Sequence, residues 1–137
     1  MHMRRMRVVV QLSVVILSLA SIDACAQPAA VRIPGTYSNL AMNEDGGDLL
    51  GVEIKIVPIG ERYQGAVFLS EGEPQPMTIV EVRVRGTSVE FDVPGKQKTG
   101  WKFSGQITGK SLTGTIRYAS GGVEKVVLPR RCGYWDH

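Results

Sequence analysis

The sequence offers few side chains of the types that enzymes use for catalysis. Its two histidines are His2 and the final residue, His137. A Ser-His-Asp or Cys-His arrangement needs a histidine that a third group holds in place, and a zinc site needs several such ligands. The carboxylates of residues 71–73 and 90–92 lie in polar stretches, which favours solvated charges over the buried acids of active sites. We therefore expect no enzymatic activity and no cofactor.

One short segment collects oxygen ligands. Residues 43–48 read NEDGGD, which places three carboxylates and an amide beside two glycines. Such loops can hold calcium, although the spacing departs from the EF-hand pattern and lacks its bidentate glutamate. Asn, Asp and Gly also favour turns, so we predict a solvated connection between two strands. Asp45 and Asp48 are the candidate ligands if a metal binds there.

The N-terminal 26 residues are typical of a cleaved signal peptide. Three arginines precede the apolar residues 8–20, a run shorter than the ~20 residues that a membrane-spanning helix needs. Ala24-Cys25-Ala26 matches a cleavage site that would leave Gln27 first. The same stretch resembles a lipoprotein signal in which Cys25 carries the lipid, although its aspartate departs from that pattern. We expect export to the periplasm or the medium, with lipid anchoring through Cys25 as the alternative.

The chain beyond this signal is nearly neutral and has the length of one domain. Thirteen of the 16 Lys and Arg residues and 12 of the 13 Asp and Glu residues follow residue 26. They are dispersed rather than clustered, which argues against nucleic-acid binding. Cys132 has no partner once Cys25 is removed or lipidated, so we expect it to be a small buried residue, with an intermolecular disulfide as the alternative. Residues 27–137 are predicted to form a single β-barrel domain.

From residue 33 onward the chain shows the period-two alternation of strands. In TIVEVRVR, residues 78–85, valines lie on one face and charged residues on the other. Gly60-Glu61, Gly86-Thr87 and Gly109-Lys110 each fit a two-residue turn between such strands. Around these turns apolar residues oppose apolar residues, and opposite charges meet outside. The predicted pairs are Ile54–Val67, Ile56–Gly65, Val82–Phe91, Arg83–Glu90, Val84–Val89, Trp101–Tyr118, Phe103–Ile116 and Ile107–Leu112.

Eight strands with short connections follow from this pattern. We place them at residues 35–42, 50–57, 62–70, 77–85, 88–93, 100–108, 111–118 and 123–128. Short antiparallel strands in sequence order favour an all-β, eight-stranded up-and-down barrel, which leaves no exposed sheet edge. A two-sheet β-sandwich is the alternative. The last hairpin, near residues 121–122, gives no clear register, so the eighth strand is the least well defined.

The alternation also predicts which side chains face the inside of the barrel. They are Tyr37, Val52, Ile54, Ile56, Tyr63, Val67, Leu69, Val80, Val82, Val84, Val89, Phe91, Val93, Trp101, Phe103, Ile107, Leu112, Ile116 and Tyr118. An eight-stranded barrel is filled by side chains or holds one small ligand. Gly105 and Gly114 oppose each other, which indicates strand curvature or space for a ligand. The ligand-binding candidates are Tyr63, Phe91, Trp101, Phe103, Gly105, Gly114 and Tyr118.

The C-terminal segment, LPRRCGYWDH, combines two arginines with two aromatic residues. Large rings bury much apolar area, so this segment fits an aromatic plug over the end of the barrel. The same residue types are enriched where proteins bind partners. Arg130, Arg131, Tyr134 and Trp135 are therefore the candidates for partner binding.

The chain resembles small exported bacterial proteins with a lipocalin- or calycin-like barrel. The resemblance covers residues 35–136 and rests on GTYSN at 35–39, GDLLG at 47–51, FSGQITG and LTG within 103–114, and the terminal YWD. It implies the barrel but no defined activity. Avidins share similar short pieces, but the chain lacks their additional tryptophans, so biotin binding is not implied. YASGGVEK, residues 118–125, is similar to the glycine-serine loop of bacterial lysozyme inhibitors, whose structural disulfide the chain lacks.

The expected function is binding without catalysis. The observations predict an exported monomer that holds a small apolar or mixed ligand inside its barrel. The alternative is a protein-interaction or inhibitor module, similar to the lysozyme inhibitors, that acts through its loops and aromatic tail. Membrane association is expected only if Cys25 is lipidated.

Overall fold

The structure is a computed structural model that describes residues 30–73, 75–96 and 99–132. These ranges contain nine strands and no helix, and therefore no helix that could cross a membrane. The strands are β1 Gly35–Ser38, β2 Ala41–Met42, β3 Leu49–Ile59, β4 Arg62–Gly72, β5 Thr78–Arg85, β6 Ser88–Val93, β7 Trp101–Ile107, β8 Ser111–Tyr118 and β9 Val123–Arg131.

Eight of the strands form a closed antiparallel barrel. The hydrogen-bonded order is β1-β9-β8-β7-β6-β5-β4-β3, and β1 also pairs with β3, which closes the ring. Strands that follow one another in sequence lie side by side, as in an up-and-down meander. The predicted barrel is confirmed, and the alternative sandwich is wrong. Closure gives every strand of the ring two partners, which removes the open edges of a flat sheet.

The first predicted strand, residues 35–42, is interrupted in the middle. β1 and β2 both pair with β3 in one continuous register, but residues 39 and 40 are not part of either strand. At this interruption the backbone N–H of Val52 in β3 is satisfied by a side chain: Asn39 Oδ1 accepts its hydrogen bond at 2.7 Å. Gly51 permits this close approach, since a Cβ there would lie 2.7 Å from Asn39 Oδ1.

The predicted hairpin registers are present with one exception. The β5–β6 ladder covers residues 83–85 of β5, one residue short of the expected Val82–Phe91 pair. The remaining predicted pairs all occur: Ile54–Val67, Ile56–Gly65, Arg83–Glu90, Val84–Val89, Trp101–Tyr118, Phe103–Ile116 and Ile107–Leu112. Since a slip of one residue would turn the apolar side chains to water, the sequence pattern specifies this register strongly.

The three tight turns achieve their reversal in two ways. Gly60 and Gly86 have φ angles of 60° and 61°, the left-handed conformation that glycine adopts without strain. Gly109 is not among the glycines with positive φ. Its turn is stabilised by Thr108, whose Oγ1 accepts hydrogen bonds from the backbone N–H groups of residues 110 and 111.

β9 has a register that the sequence did not reveal. A three-residue loop, residues 119–121, joins it to β8, with Gly121 at a φ of 103°. β9 continues three residues beyond the predicted end at residue 128, because its last two residues pair with β1. This register directs Val126 and Leu128 into the core, where the sequence analysis placed neither.

The core consists mainly of the residues that the alternation predicts. All 19 predicted inward side chains are buried or are partly buried and packed against the core. Ile33, Val126 and Leu128 are additional members. Burial of one such aliphatic side chain stabilises a fold by ~1.5–3 kcal/mol. The inward faces of the strands therefore provide the main driving force for closing the barrel.

The meander gives the barrel two different ends. The turn end is defined here by the tight turns at residues 60–61, 86–87 and 109–110, together with residues 30–34 and 132. The loop end is defined by the longer connections at residues 43–48, 73–77 and 94–100, together with the connection from β8 to β9 at residues 119–122. The described chain both enters and leaves the barrel at the turn end.

Candidate functional site

The middle of the barrel is filled by aromatic side chains. Phe91 and Phe103 stack with ring centroids 5.0 Å apart, and Trp101 contacts Phe91 edge-on at 5.8 Å. The Phe103 ring occupies the space beside the glycine pair, because a Cβ at Gly105 or Gly114 would lie 2.7 or 2.6 Å from its Cζ. The glycines thus make room for a ring of the protein itself, and a ligand needs space elsewhere.

The seven predicted ligand-binding residues do not form one site. Phe91, Phe103 and the two glycines belong to the packed middle of the barrel. Tyr63 is partly buried near the turn end, beside the hairpin of β3 and β4. Trp101 and Tyr118 oppose each other at the loop end, and each lines a cavity there. The loop end is therefore where the predicted residues meet open space.

An open cavity of about 540 Å³ lies at the loop end. We refer to it as the mouth. Its inner wall is apolar and consists of Val67 and Leu69 of β4, Val93 of β6 and Trp101 of β7. Its remaining lining residues are Glu71, Gln75, Pro76, Thr78, Pro94, Lys96 and Thr99. An apolar wall with a few polar groups and a volume of roughly 300–1,000 Å³ is typical of small-molecule sites.

A smaller recess of about 240 Å³ adjoins the mouth and shares Leu69 and Glu71 with it. On its other side the hydroxyl of Tyr118 donates a hydrogen bond to Glu124 Oε2 at 2.9 Å. Strand alternation places Glu71 on the inward face of β4 and Glu124 on the inward face of β9. The mouth therefore has carboxylates beside its apolar wall.

The recess is electrostatically negative. The pKa of Tyr118 is raised to about 12 by burial, by its hydrogen bond to Glu124, and by the charges of Glu124 and Glu71. The phenol is therefore neutral at physiological pH and serves as a hydrogen-bond donor. A cation in the recess would be attracted to two carboxylates, whereas an anion would be repelled. Apolar surface beside these carboxylates suits an amphipathic cation.

The sequence analysis missed both carboxylates. It placed Glu71 in a polar loop, but β4 continues to Gly72, and the alternation of residues 65, 67 and 69 carries on to residue 71. The side chain of Glu71 remains exposed, as expected for a solvated charge. Continuing the alternation of β4 by two residues would have revealed the inward position of Glu71. The inward position of Glu124 depends on the register of β9, which the sequence left undefined.

The turn end is closed by Arg130. Its guanidinium carbon lies 4.8 Å from the Tyr37 ring centroid, and its nitrogens donate to Pro34 O at 2.8 Å, to Arg32 O and to the Tyr37 hydroxyl at 2.5 Å. That hydroxyl in turn donates to Ile33 O at 2.8 Å. Burial raises the pKa of Tyr37, and the nearby Arg130 charge partly offsets this effect. Arg130 therefore ties the segment before β1 to the end of β9.

The predicted partner-binding residues have different environments. Arg130 is half-buried, is engaged in the turn-end contacts and lines the turn-end cavity, and its role in partner binding stays a prediction. Arg131 is exposed and donates from Nε to Ser38 O at 3.3 Å. Tyr134 and Trp135 lie outside the described residues, so their role stays a prediction.

Cys132 is exposed, which corrects the expectation of a buried residue. The ladder between β9 and β1 ends at Arg131, so residue 132 lies beyond the last strand pair. Its side chain lines an open turn-end cavity of about 680 Å³. The other cysteine, Cys25, lies outside the described residues, and its removal or lipidation stays a prediction.

The acidic loop at residues 43–48 is stabilised by its own backbone. Asn43 N donates to Asp48 O at 2.7 Å, and Asp45 N donates to Asn43 Oδ1 at 3.2 Å. All six residues are exposed, which agrees with the predicted solvated connection. Within the ranges that the structure describes, no group of three or more His, Cys, Asp or Glu residues is arranged to hold a metal ion. Metal binding by Asp45 and Asp48 stays a prediction.

The outer wall carries the other predicted acidic pair. Arg83 lies 3.0 Å from Asp92 and 3.9 Å from Glu90, and Lys102 lies 3.4 Å from Asp92. The hydrogen bond from Arg83 lowers the pKa of the Asp92 carboxyl, with a smaller contribution from Lys102. Exposed ion pairs contribute ~0–1 kcal/mol to stability. These carboxylates are therefore surface charges and serve as matched controls for those of the mouth.

Comparison with known proteins assigns the chain to no family. No family model matches it, and neither a curated protein nor a solved structure does. The resemblance to lipocalin- and calycin-like proteins therefore stays a prediction, and the function must be argued from the geometry of the barrel.

Proposed function

We propose that this protein is an exported, non-enzymatic, lipocalin- or calycin-like barrel that binds a small amphipathic cation in its mouth. The observation that carries the proposal is the apolar wall of Leu69, Val93 and Trp101 beside the carboxylates of Glu71 and Glu124. The apolar part of the ligand would lie against Leu69 and Trp101, and its cationic group would lie beside Glu71. Apolar contact would supply most of the affinity, and charge would supply the selectivity.

The arrangement of charges favours a cation over an anion. Lys96 also lines the mouth, but it lies on the connection at residues 94–100. Glu71 and Glu124 both line the recess and both act on Tyr118. The Tyr118 hydroxyl already donates to Glu124, which fixes that carboxylate in place at the side of the site. A preformed carboxylate needs little reorganisation when a cation arrives.

The proposed export and absence of catalysis rest on the sequence. Three arginines, a short apolar run and an Ala-x-Ala site are the parts of a signal peptide. The described barrel contains no histidine, so acid–base and nucleophilic mechanisms that depend on imidazole have no group to use.

Matched alkyl probes test the proposal. Decyltrimethylammonium, decyl sulfate and decanol share one chain and differ in charge. Their binding can be followed by calorimetry and by Trp101 fluorescence in a Trp135→Phe background. We expect the ammonium probe to bind roughly tenfold more tightly than the sulfate, which corresponds to ~1.4 kcal/mol. Glu71→Gln should weaken the ammonium probe by roughly threefold to tenfold and leave decanol unchanged.

Glu90→Gln is the control, because Glu90 carries the same charge on the outer wall. Equal losses for Glu71→Gln and Glu90→Gln would show a general charge effect and exclude the recess as the cation site. Leu69→Gln, with circular dichroism as the check of folding, should weaken all three probes. Failure of every probe to bind the parent protein would rule out the mouth as a ligand site.

A further inference from the structure

Basic side chains surround the turn end of the barrel. Arg62 begins β4, Arg85 ends β5, Lys110 lies in the turn before β8, and Arg131 ends β9. All four are exposed, and the alternation of the strands directs the three arginines outward rather than into the turn-end contacts. Glu61 is the one acidic residue in the described connections of this end. The turn end therefore presents a net positive surface.

Exposed apolar side chains lie among these basic groups. Ile59 is 53% exposed and pairs directly with Arg62 across the hairpin of β3 and β4. Val31 is 36% exposed and lines the turn-end cavity with Lys110 and Arg131. Long basic side chains that flank exposed apolar residues are typical of surfaces that rest on anionic membranes. There the basic groups meet lipid headgroups, and the apolar groups enter the interfacial layer.

The chain enters the barrel at the turn end, so a lipid on Cys25 would hold that end near a membrane. Residues 1–29 join the barrel at Ala30, which lines the turn-end cavity. A lipid on Cys25 would be five residues from Ala30, a reach of at most roughly 18 Å for extended chain. A tether of that length holds the turn end, rather than the loop end, close to the bilayer.

The opposite end has the opposite charge. The described connections and inward rim of the loop end contain one lysine, Lys96, and six carboxylates: Glu44, Asp45, Asp48, Glu71, Glu73 and Glu124. Basic residues near that end, Lys102, Arg117 and Lys125, lie on the outer wall together with Asp92, so the carboxylates still outnumber the basic groups. The barrel is therefore electrically polarised along its axis, so an anionic surface attracts one end and repels the other.

We propose that the turn end docks on an anionic phospholipid bilayer and that the mouth faces away from it. Arg62, Arg85, Lys110 and Arg131 contact the headgroups, and Ile59 enters the interface. This orientation keeps the mouth open to water. The proposal does not depend on the ligand of the mouth, because it uses residues of the other end.

Vesicle sedimentation with charge-matched variants tests this docking. The full chain, exported and processed by a bacterial host, is mixed with phosphatidylcholine vesicles or with vesicles that also contain phosphatidylglycerol. We expect preferential binding to the anionic vesicles that weakens as salt rises from ~0.05 to ~0.3 M. Arg62→Gln with Arg85→Gln should reduce binding by roughly tenfold. Lys102→Gln with Arg117→Gln removes the same charge from the outer wall and should change binding by less than about twofold.

Three outcomes would overturn the docking proposal. Equal binding to neutral and anionic vesicles would exclude headgroup recognition. Equal losses in the two double variants would show that net charge, rather than the turn end, is responsible. Binding of soluble polyphosphate without binding of vesicles would show that the four basic side chains of the turn end recognise a different anion. Ile59→Gln, with circular dichroism as the folding check, separates apolar insertion from charge, because it removes the exposed apolar side chain without changing the charge of the turn end and should weaken binding.

Discussion

The two ends of the barrel differ in how the chain covers the interior. At the turn end, two- and three-residue connections leave little chain to cover the interior, and Arg130 covers it by bridging Tyr37 and the carbonyl groups of residues 32–34. At the loop end, three of the four connections are longer, and the cavity lined by Leu69 and Trp101 is open to solvent. Hydrogen bonds of Arg130 thus bridge the chain across one end, which also carries the open cavity at Cys132, whereas no such bridge crosses the mouth at the other end in the described residues.

This difference separates stability from binding within one small barrel. The packed middle, with Phe91 stacked on Phe103, lies between the ends and isolates them from each other. Groups more than about 7–10 Å apart with no shared partners usually contribute additively to stability. Substitutions at the turn end should therefore change the free energy of unfolding without changing the mouth. Substitutions at the mouth should mainly change ligand affinity.

The largest expected effect comes from Arg130→Ala at the sealed end. This change leaves the carbonyl of Pro34 and the hydroxyl of Tyr37 without their charged donor and removes the contact with the Tyr37 ring. We expect a loss of ~2–4 kcal/mol in the free energy of unfolding, measured by urea denaturation. Arg131→Ala removes a similar charge with a single long contact and should cost ~1 kcal/mol or less. Similar losses for the two variants would show that Arg130 does not seal the barrel.

The next effect tests the packed middle that separates the ends. At Gly105 a Cβ would lie 2.4 Å from the Thr113 carbonyl oxygen and 2.7 Å from Phe103 Cζ, so Gly105→Ala forces strand and ring apart. We expect a loss of ~1–3 kcal/mol, measured by thermal or urea unfolding. Gly109→Ala is the control, because a Cβ there meets nothing within 4 Å, and its cost should stay within ~0.5 kcal/mol. A tolerated Gly105→Ala would mean that the middle retains free space.

The smallest effect concerns the pH dependence of stability at the loop end. The pKa of Tyr118 is about 12 in the folded barrel, whereas an unfolded tyrosine ionises near pH 10. The stabilisation is therefore complete below pH 10 and is lost as the pH rises from about 10 to about 12, because the unfolded state ionises first. Tyr118 is only partly buried and its hydrogen bond to Glu124 is exposed to solvent, so this loss should be about 1 kcal/mol or less.

Tyr118→Phe should remove this part of the alkaline loss of stability. The pKa of Tyr37 is also raised, so the turn end should retain its own alkaline loss in that variant. The measurement is urea unfolding of parent and variant at matched pH between about 9 and 12. If the difference between parent and variant is independent of pH, the negative recess does not act on Tyr118.

Much of the fold could be read from the sequence because alternation and turn residues act locally. Val84 and Val89 could be paired from a glycine at the turn and from the requirement that both face inward. The hairpin from β8 to β9 offered no such pattern, because its three-residue loop depends on Gly121 in the left-handed region and its apolar residues lie on both faces of β9. Because Val123 and Val127 face outward while Val126 faces inward, the apolar residues of β9 do not indicate which face is buried, and its register cannot be predicted from them.

The candidate site was harder to predict because it depends on which end each residue reaches. The sequence placed Trp101 and Tyr118 on inward faces but could not show that they line cavities at the loop end, whereas Phe103 stacks on Phe91 in the middle of the barrel. The sequence predicts partner binding for Arg130 and gives no sign of its structural role. That role depends on contacts with residues 32–37, which lie nearly one hundred residues away in the chain. Pairings of that range arise from closure of the barrel and leave no local pattern.

The pairing of β1 with β9, which joins the first strand to the last, also sets the order in which the barrel can fold. Every other ladder joins strands that are near neighbours in sequence, whereas this one joins Thr36 to Arg131 and Tyr37 to Arg130. Contacts between distant residues carry a large loop-closure entropy and form late. A chain that emerges with its N-terminus first can therefore assemble its hairpins one after another as an open ribbon. It becomes a barrel only after Arg130 has emerged, so the residue that seals the structure is also among the last to arrive.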